Sequence, residues 1–102
     1  MKAKTVLFSP EAVDDLEWLY GMIADESGPE RALGYLTRVE KFCLGLSLGS
    51  ERGRPRDEIR AGLRIIGFER RMTIAFTTDQ DSVMILRCFY GGADWQGRMS
   101  EP

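Results

Sequence analysis

The sequence contains no histidine. That absence removes imidazole activation of a serine or cysteine nucleophile, imidazole proton shuttling and most zinc sites. Lysine stops at Lys41, so chemistry in the later half of the chain has to run on arginine, tyrosine, aspartate or glutamate. The two cysteines, Cys43 and Cys88, sit among apolar neighbours and read as small buried hydrophobes, and no metal or cofactor is expected. No apolar run approaches the roughly 18 to 20 residues that cross a bilayer, and the opening residues lead into a strand-like stretch too short for a secretory leader. A cytoplasmic protein without a membrane partner is expected. The glycines match neither a P-loop nor a dinucleotide fingerprint, and no repeat or low-complexity segment interrupts the chain.

What is present suits one ordinary globular domain. The 102 residues are 43% hydrophobic and 29% charged, and a chain of this mass folds to a surface of roughly 5,800 Å². Residues 1–95 are expected to form the domain and 96–102 a polar tail, frayed beyond Trp95. Thr5 to Phe8 reads as a strand. Ser9-Pro10-Glu11 behind it is a helix start, with Ser9 as N-cap and proline at the first helical position. Val13, Leu16, Tyr20 and Ile23, with Leu19 beside them, then recur at helical spacing up to about Asp25. Ser27-Gly28-Pro29 restarts a second helix whose Ala32, Leu36, Val39, Cys43 and Leu46 hold one stripe, leaving Arg31, Arg38 and Lys41 outward. Gly49 to Gly62 has no period and reads as a long loop, functional or mobile. Leu63 to Phe68, Arg71 to Thr77 and Ser82 to Tyr90 follow as strands joined by links short enough for consecutive hairpins, with the sheet ending at Gly91-Gly92. The expectation is an α+β fold in the order βααβββ, a helical hairpin packed on an antiparallel sheet with the first strand at an edge of the meander.

Charge is unevenly placed. Residues 1–50 carry five basic and eight acidic side chains, whereas Arg52 to Arg71 carry seven arginines against Asp57, Glu58 and Glu69. Arginine holds carboxylates and phosphates bidentately and stays charged when desolvated, so this segment points to an acidic partner or a nucleic acid. The pairs Asp14-Asp15 and Asp79/Asp81 fall in a helix's opening turns and in a turn, where acids cap and solvate. Candidate contact residues are Arg54 and Arg56 in the loop, Arg64 and Arg71 opening two strands, and Arg87 and Tyr90 in the last strand. By strict alternation Arg87 shares a face with Val83, Ile85 and Phe89, either facing solvent or paired with Asp57 or Glu58.

Three segments carry a family resemblance: Phe8-Ser9-Pro10-Glu11-Ala12-Val13-Asp14-Asp15-Leu16, Gly53-Arg54-Pro55-Arg56-Asp57-Glu58-Ile59-Arg60-Ala61-Gly62-Leu63-Arg64, and Ile85-Leu86-Arg87-Cys88-Phe89-Tyr90. Together with the element order they make residues 5 to 95 resemble the RelE/ParE toxin superfamily, on the ParE, plasmid-stabilisation side. The resemblance implies a cytoplasmic toxin of a type II toxin-antitoxin module, neutralised in a hetero-oligomer by an acidic, ParD-like antitoxin and aimed at DNA gyrase. It implies no catalytic residues and no sequence-specific DNA binding by the toxin alone. Arg54, Arg56, Arg64, Arg71, Arg87 and Tyr90, with Trp95, are then the target- or antitoxin-binding candidates. Two alternatives stand beside it: a RelE-like ribosome-dependent messenger endoribonuclease using Arg64, Arg87 and Tyr90, and a degenerate, non-toxic binding module. RelE-like cleavage uses a cluster of lysine, arginine and tyrosine. The absence of lysine after Lys41 favours the non-enzymatic branch.

Overall fold

Ser9 fixes where the first strand ends and the first helix begins. In the computed structural model, which describes residues 3–49, 51–91 and 95–100, Ser9 is extended at φ −66° and ψ 159° and its hydroxyl oxygen accepts from the Ala12 amide at 3.0 Å. The same hydroxyl donates to the Leu86 carbonyl at 2.7 Å, and the Ser9 amide donates to the Ile85 carbonyl at 2.9 Å. One side chain thus caps the helix and ties it to the last strand. On either side of it lie β1 (Thr5–Phe8) and α1 (Pro10–Ser27). Gly28, at φ 96°, breaks the chain, and Pro29 starts α2 (Pro29–Leu44), which leads into the single turn α3 (Leu46–Gly49).

The long loop is more ordered than its composition suggests. It contains β2 (Arg54–Pro55), which pairs with the start of β3 (Arg64–Phe68). Between them the Arg56 amide donates to the Leu63 carbonyl at 2.8 Å and Asp57 accepts the Gly62 amide at 3.0 Å, so the excursion closes on itself. Gly53 makes this closure sterically feasible: its φ is 89°, and a Cβ there would stand 2.6 Å from the Ile65 carbonyl oxygen.

β4 (Met72–Thr78) and β5 (Ser82–Tyr90) complete the antiparallel meander, and the sheet order is β1-β5-β4-β3-β2. The first strand takes the expected edge place but runs parallel to β5, so the sheet is mixed. The turn joining β3 to β4 holds Glu69 and Arg70 at φ 51° and 59°, the mirror-image conformation that matches strand twist. The expected sheet end at Gly92 and the last two residues of the tail lie outside the described residues.

The hairpin of α1 and α2 covers one sheet face. Leu19, Val39 and Cys43 from the helices meet Ile74, Phe76, Val83 and Ile85 from the sheet, all buried. The helical stripe of α1 differs from the expected one: Ala12 and Leu19 are buried, while Val13 and Tyr20 are 42% and 39% exposed. The Ser9 bonds to β5 rotate the helix so that its 12, 16, 19 and 23 positions face the sheet. On α2, Tyr35 joins the buried stripe and Leu36 is half-buried. The opposite sheet face has a second, smaller core of Leu63, Ala75, Phe89 and Met99. Met99 belongs to α4 (Trp95–Ser100), so the stretch expected to fray beyond Trp95 is instead a short helix anchored by a buried methionine. The thiols of Cys43 and Cys88 are free and buried; the Cys43 contact and burial push Cys88 up.

Candidate functional site

Strict alternation fails in β5. Ala75 pairs with Arg87 and Phe76 with Ile85, which leaves Leu86 as the extra residue of a β-bulge. Beyond the bulge Cys88 and Tyr90 turn to the helical face with Val83 and Ile85, whereas Leu86 and Phe89 take the other. Arg87 pairs with neither Asp57 nor Glu58. Its Nε and Nη2 donate to the Asp15 carboxylate at 2.8 and 2.9 Å, and its guanidinium stacks 4.7 Å from the Phe89 ring centroid. Asp15 Oδ2 also accepts the Cys88 amide at 2.9 Å, so this carboxylate takes the place of a neighbouring strand where β1 has ended. Asp15, read as a solvated helix-turn acid, is a buried-edge partner with only 15% side-chain exposure. The Asp15 hydrogen bond holds the Arg87 guanidinium above its usual range.

The remaining candidates separate into distinct places. Arg54 is exposed on the edge strand β2, along an open groove with Ile66 and Thr73. Arg56 bridges to Glu58 at 2.6 Å and stacks 5.1 Å from the Trp95 ring centroid, joining the loop to α4. Arg64 donates to the carbonyls of Glu51 and Gly53 at 2.9 and 3.3 Å and so holds the loop in place. Among the described residues Arg64 and Arg87 share no hydrogen-bond partner, and neither lines the cleft that Tyr90 lines.

Arg71 and Tyr90, by contrast, meet. The β4–β5 register sets Tyr90 opposite Met72, and a hydrogen bond to the Tyr90 hydroxyl raises the Arg71 guanidinium above its usual range. They line a cleft of about 540 Å³ between the tip of the helical hairpin and the ends of β4 and β5. Its helical wall is Arg31, Tyr35 and Arg38. Arg38 grips Glu69 bidentately at 2.9 and 3.1 Å, holding that carboxyl below its usual range, and stacks 5.2 Å from the Tyr35 ring centroid. Tyr35 stands edge-on to Tyr90 with centroids 5.9 Å apart. Burial, chiefly, pushes the Tyr35 phenol up to about 12. Arg31 and Arg38 are the outward residues of the second helix, and Tyr35 lies between them. Their i, i+4, i+7 spacing was the available signal, since it places all three on one helical face.

A helical hairpin on one face of a sheet whose first strand lies parallel to its last, with a short helix on the other face, defines the class: a small α+β fold with a mixed five-stranded sheet. The structure is similar to the solved "Chromosomal ParDE TA system from P. aeruginosa", with a TM-score of 0.76 and 22% identity over 87% of this chain and 97% of that one. No curated protein sequence matches significantly. The family model described as ParE toxin of type II toxin-antitoxin system, parDE, matches residues 6–95. The chain belongs to that family.

Proposed function

We propose that this protein is a toxin that inhibits DNA gyrase by binding it, without catalysing a reaction, and that an acidic ParD-like antitoxin neutralises it in a cytoplasmic hetero-oligomer. The observation that carries the reading is the family match over residues 6–95. Cutting RNA needs a base for the 2′-hydroxyl, cations for the phosphate and an acid for the leaving oxygen. An arginine cannot lose its proton to serve as that base. The groups a ribonuclease would recruit are engaged elsewhere: Arg64 with loop carbonyls, Arg87 with Asp15, and Tyr90 with Arg71. That separation supports a binding role.

The helical hairpin offers the antitoxin apolar anchors, because Trp18 and Leu33 are each 62% exposed. Arg54, exposed on β2, supplies steering charge toward an acidic chain, and Arg56 does so once that chain's carboxylates displace Glu58. Charge reversal at both is expected to slow antitoxin association and flatten its salt dependence, and an unchanged on-rate at low salt would refute this. The purified toxin is expected to block gyrase supercoiling or trap cleaved DNA while leaving messenger on programmed ribosomes intact. Site-specific cleavage of that messenger would overturn the proposal.

A further inference from the structure

The cleft at the hairpin tip has no role in the reading above, yet it is left electrostatically open. Arg31 reaches it from α2 and Arg71 from the residue before β4, and among the described residues no carboxylate pairs with either. Arg38 is already neutralised by Glu69. The lining therefore holds three guanidiniums, Arg31, Arg38 and Arg71, against two carboxylates, Glu26 and Glu69, and Glu69, gripped by Arg38, also acts on Arg71. Behind the cleft wall lies the Tyr35 hydroxyl. It lies on a side chain only 7% exposed, and among the described residues it is the one buried side-chain polar atom with no hydrogen-bond partner. The hydroxyl itself is closed to solvent, so the cleft's polar donors are the arginines and Tyr90.

We propose that this cleft binds a phosphate group, presented as inorganic phosphate or as the monoester of a small nucleotide. A planar carboxylate satisfies one guanidinium fork edge-on, as Glu69 does with Arg38 at 2.9 and 3.1 Å. Donors arriving from separate elements, with Tyr90 beside Arg71, suit a tetrahedral anion whose acceptor oxygens lie in more than one plane. The volume of about 540 Å³ is far more than a bare phosphate fills and falls within the range of small-ligand sites, which leaves room for a nucleoside.

Calorimetric titration of the full chain with inorganic phosphate, adenosine monophosphate and glutarate tests the assignment. Saturable binding of phosphate or the nucleotide is expected below about 10 mM, weakening with salt. A tighter nucleotide identifies the monoester as the ligand, and equal affinities identify phosphate alone. Arg31→Ala and Arg71→Ala are each expected to lower affinity roughly tenfold, since each removes a charge-assisted donor. Both side chains are exposed, so the fold survives, which circular dichroism checks. Glu26→Gln should tighten binding by removing the opposing charge. Glutarate binding as tightly as phosphate, saturation by neither phosphate probe, or wild-type affinity in both arginine variants would overturn the proposal.

Discussion

Replacing Asp15 by alanine removes three acceptor contacts at once: those to Arg87 Nε and Nη2 and that to the Cys88 amide. The amide sits on a buried residue beside the bulge, and stranding it costs about 1–3 kcal/mol. The ion pair adds less, about 1 kcal/mol, because the Arg87 side chain keeps 24% of its exposure and can recruit water. The expected loss is thus about 2–4 kcal/mol out of a total of roughly 5–15 for a domain of this size. The corresponding fall in Tm is on the order of 10–25 °C. Arg87→Ala should cost less than Asp15→Ala, since the carboxylate then still covers the Cys88 amide. Asp15→Asn, which keeps an acceptor but not the charge, should fall between Asp15→Ala and the wild type. Urea unfolding followed by circular dichroism measures all three, and a double-mutant cycle should return a coupling of about 1 kcal/mol between the two side chains. A loss below about 0.5 kcal/mol for Asp15→Ala, within the range of ordinary surface substitutions, or the reverse ranking of the two alanine variants, would refute the edge-covering role.

Ser9→Ala deletes both the α1 cap and the donor to Leu86, and equilibrium unfolding should register a loss of about 2 kcal/mol. Gly53→Ala forces a Cβ against the Ile65 carbonyl at positive φ and should lower stability by about 1–3 kcal/mol; an unchanged urea midpoint would contradict the geometry. Asp79 accepts the Asp81 and Ser82 amides in the β4–β5 turn, which lowers its carboxyl below the ordinary 3.8. Its stabilisation is therefore present above that value and lost as pH falls through the lowered one, so Asp79→Asn should be weaker than wild type at neutral pH and the gap should close in acid. Tyr35, pushed up to about 12 from 10.0, stays protonated in the fold where the unfolded chain ionises, so its contribution should fade as pH rises between those values. An alkaline absorbance titration should lose its latest phenol step in Tyr35→Phe.

The helical hairpin and the meander were legible because each rests on local pattern. Met72, Ile74 and Phe76 alternate toward the helices as period two requires, and Gly28-Pro29 breaks and restarts the helix. Errors arose where one long-range bond overrides a local period. The Ser9–Leu86 bond sets α1 with Ala12 and Leu19 inward rather than Val13 and Tyr20, and the bulge at Leu86 reverses the facing of everything after it. The partner of Arg87 lies 72 positions upstream, beyond the reach of any spacing rule. Met99 looked like part of a polar tail because a six-residue helix needs only one buried side chain to dock. Of the cleft, Arg71 and Tyr90 were visible singly. Their meeting with Tyr35 depends on strand register, which hydrophobicity specifies only once the bulge is known.

The parallel pairing of β1 with β5 also sets a clock. Thr5 is aligned with Ser82, so the first strand to be synthesised waits for the last. At translation rates of about 5–20 residues per second that interval is roughly 4–15 s, during which β1 has no strand to pair with. The nascent chain meanwhile holds a helical hairpin with no sheet to cover it.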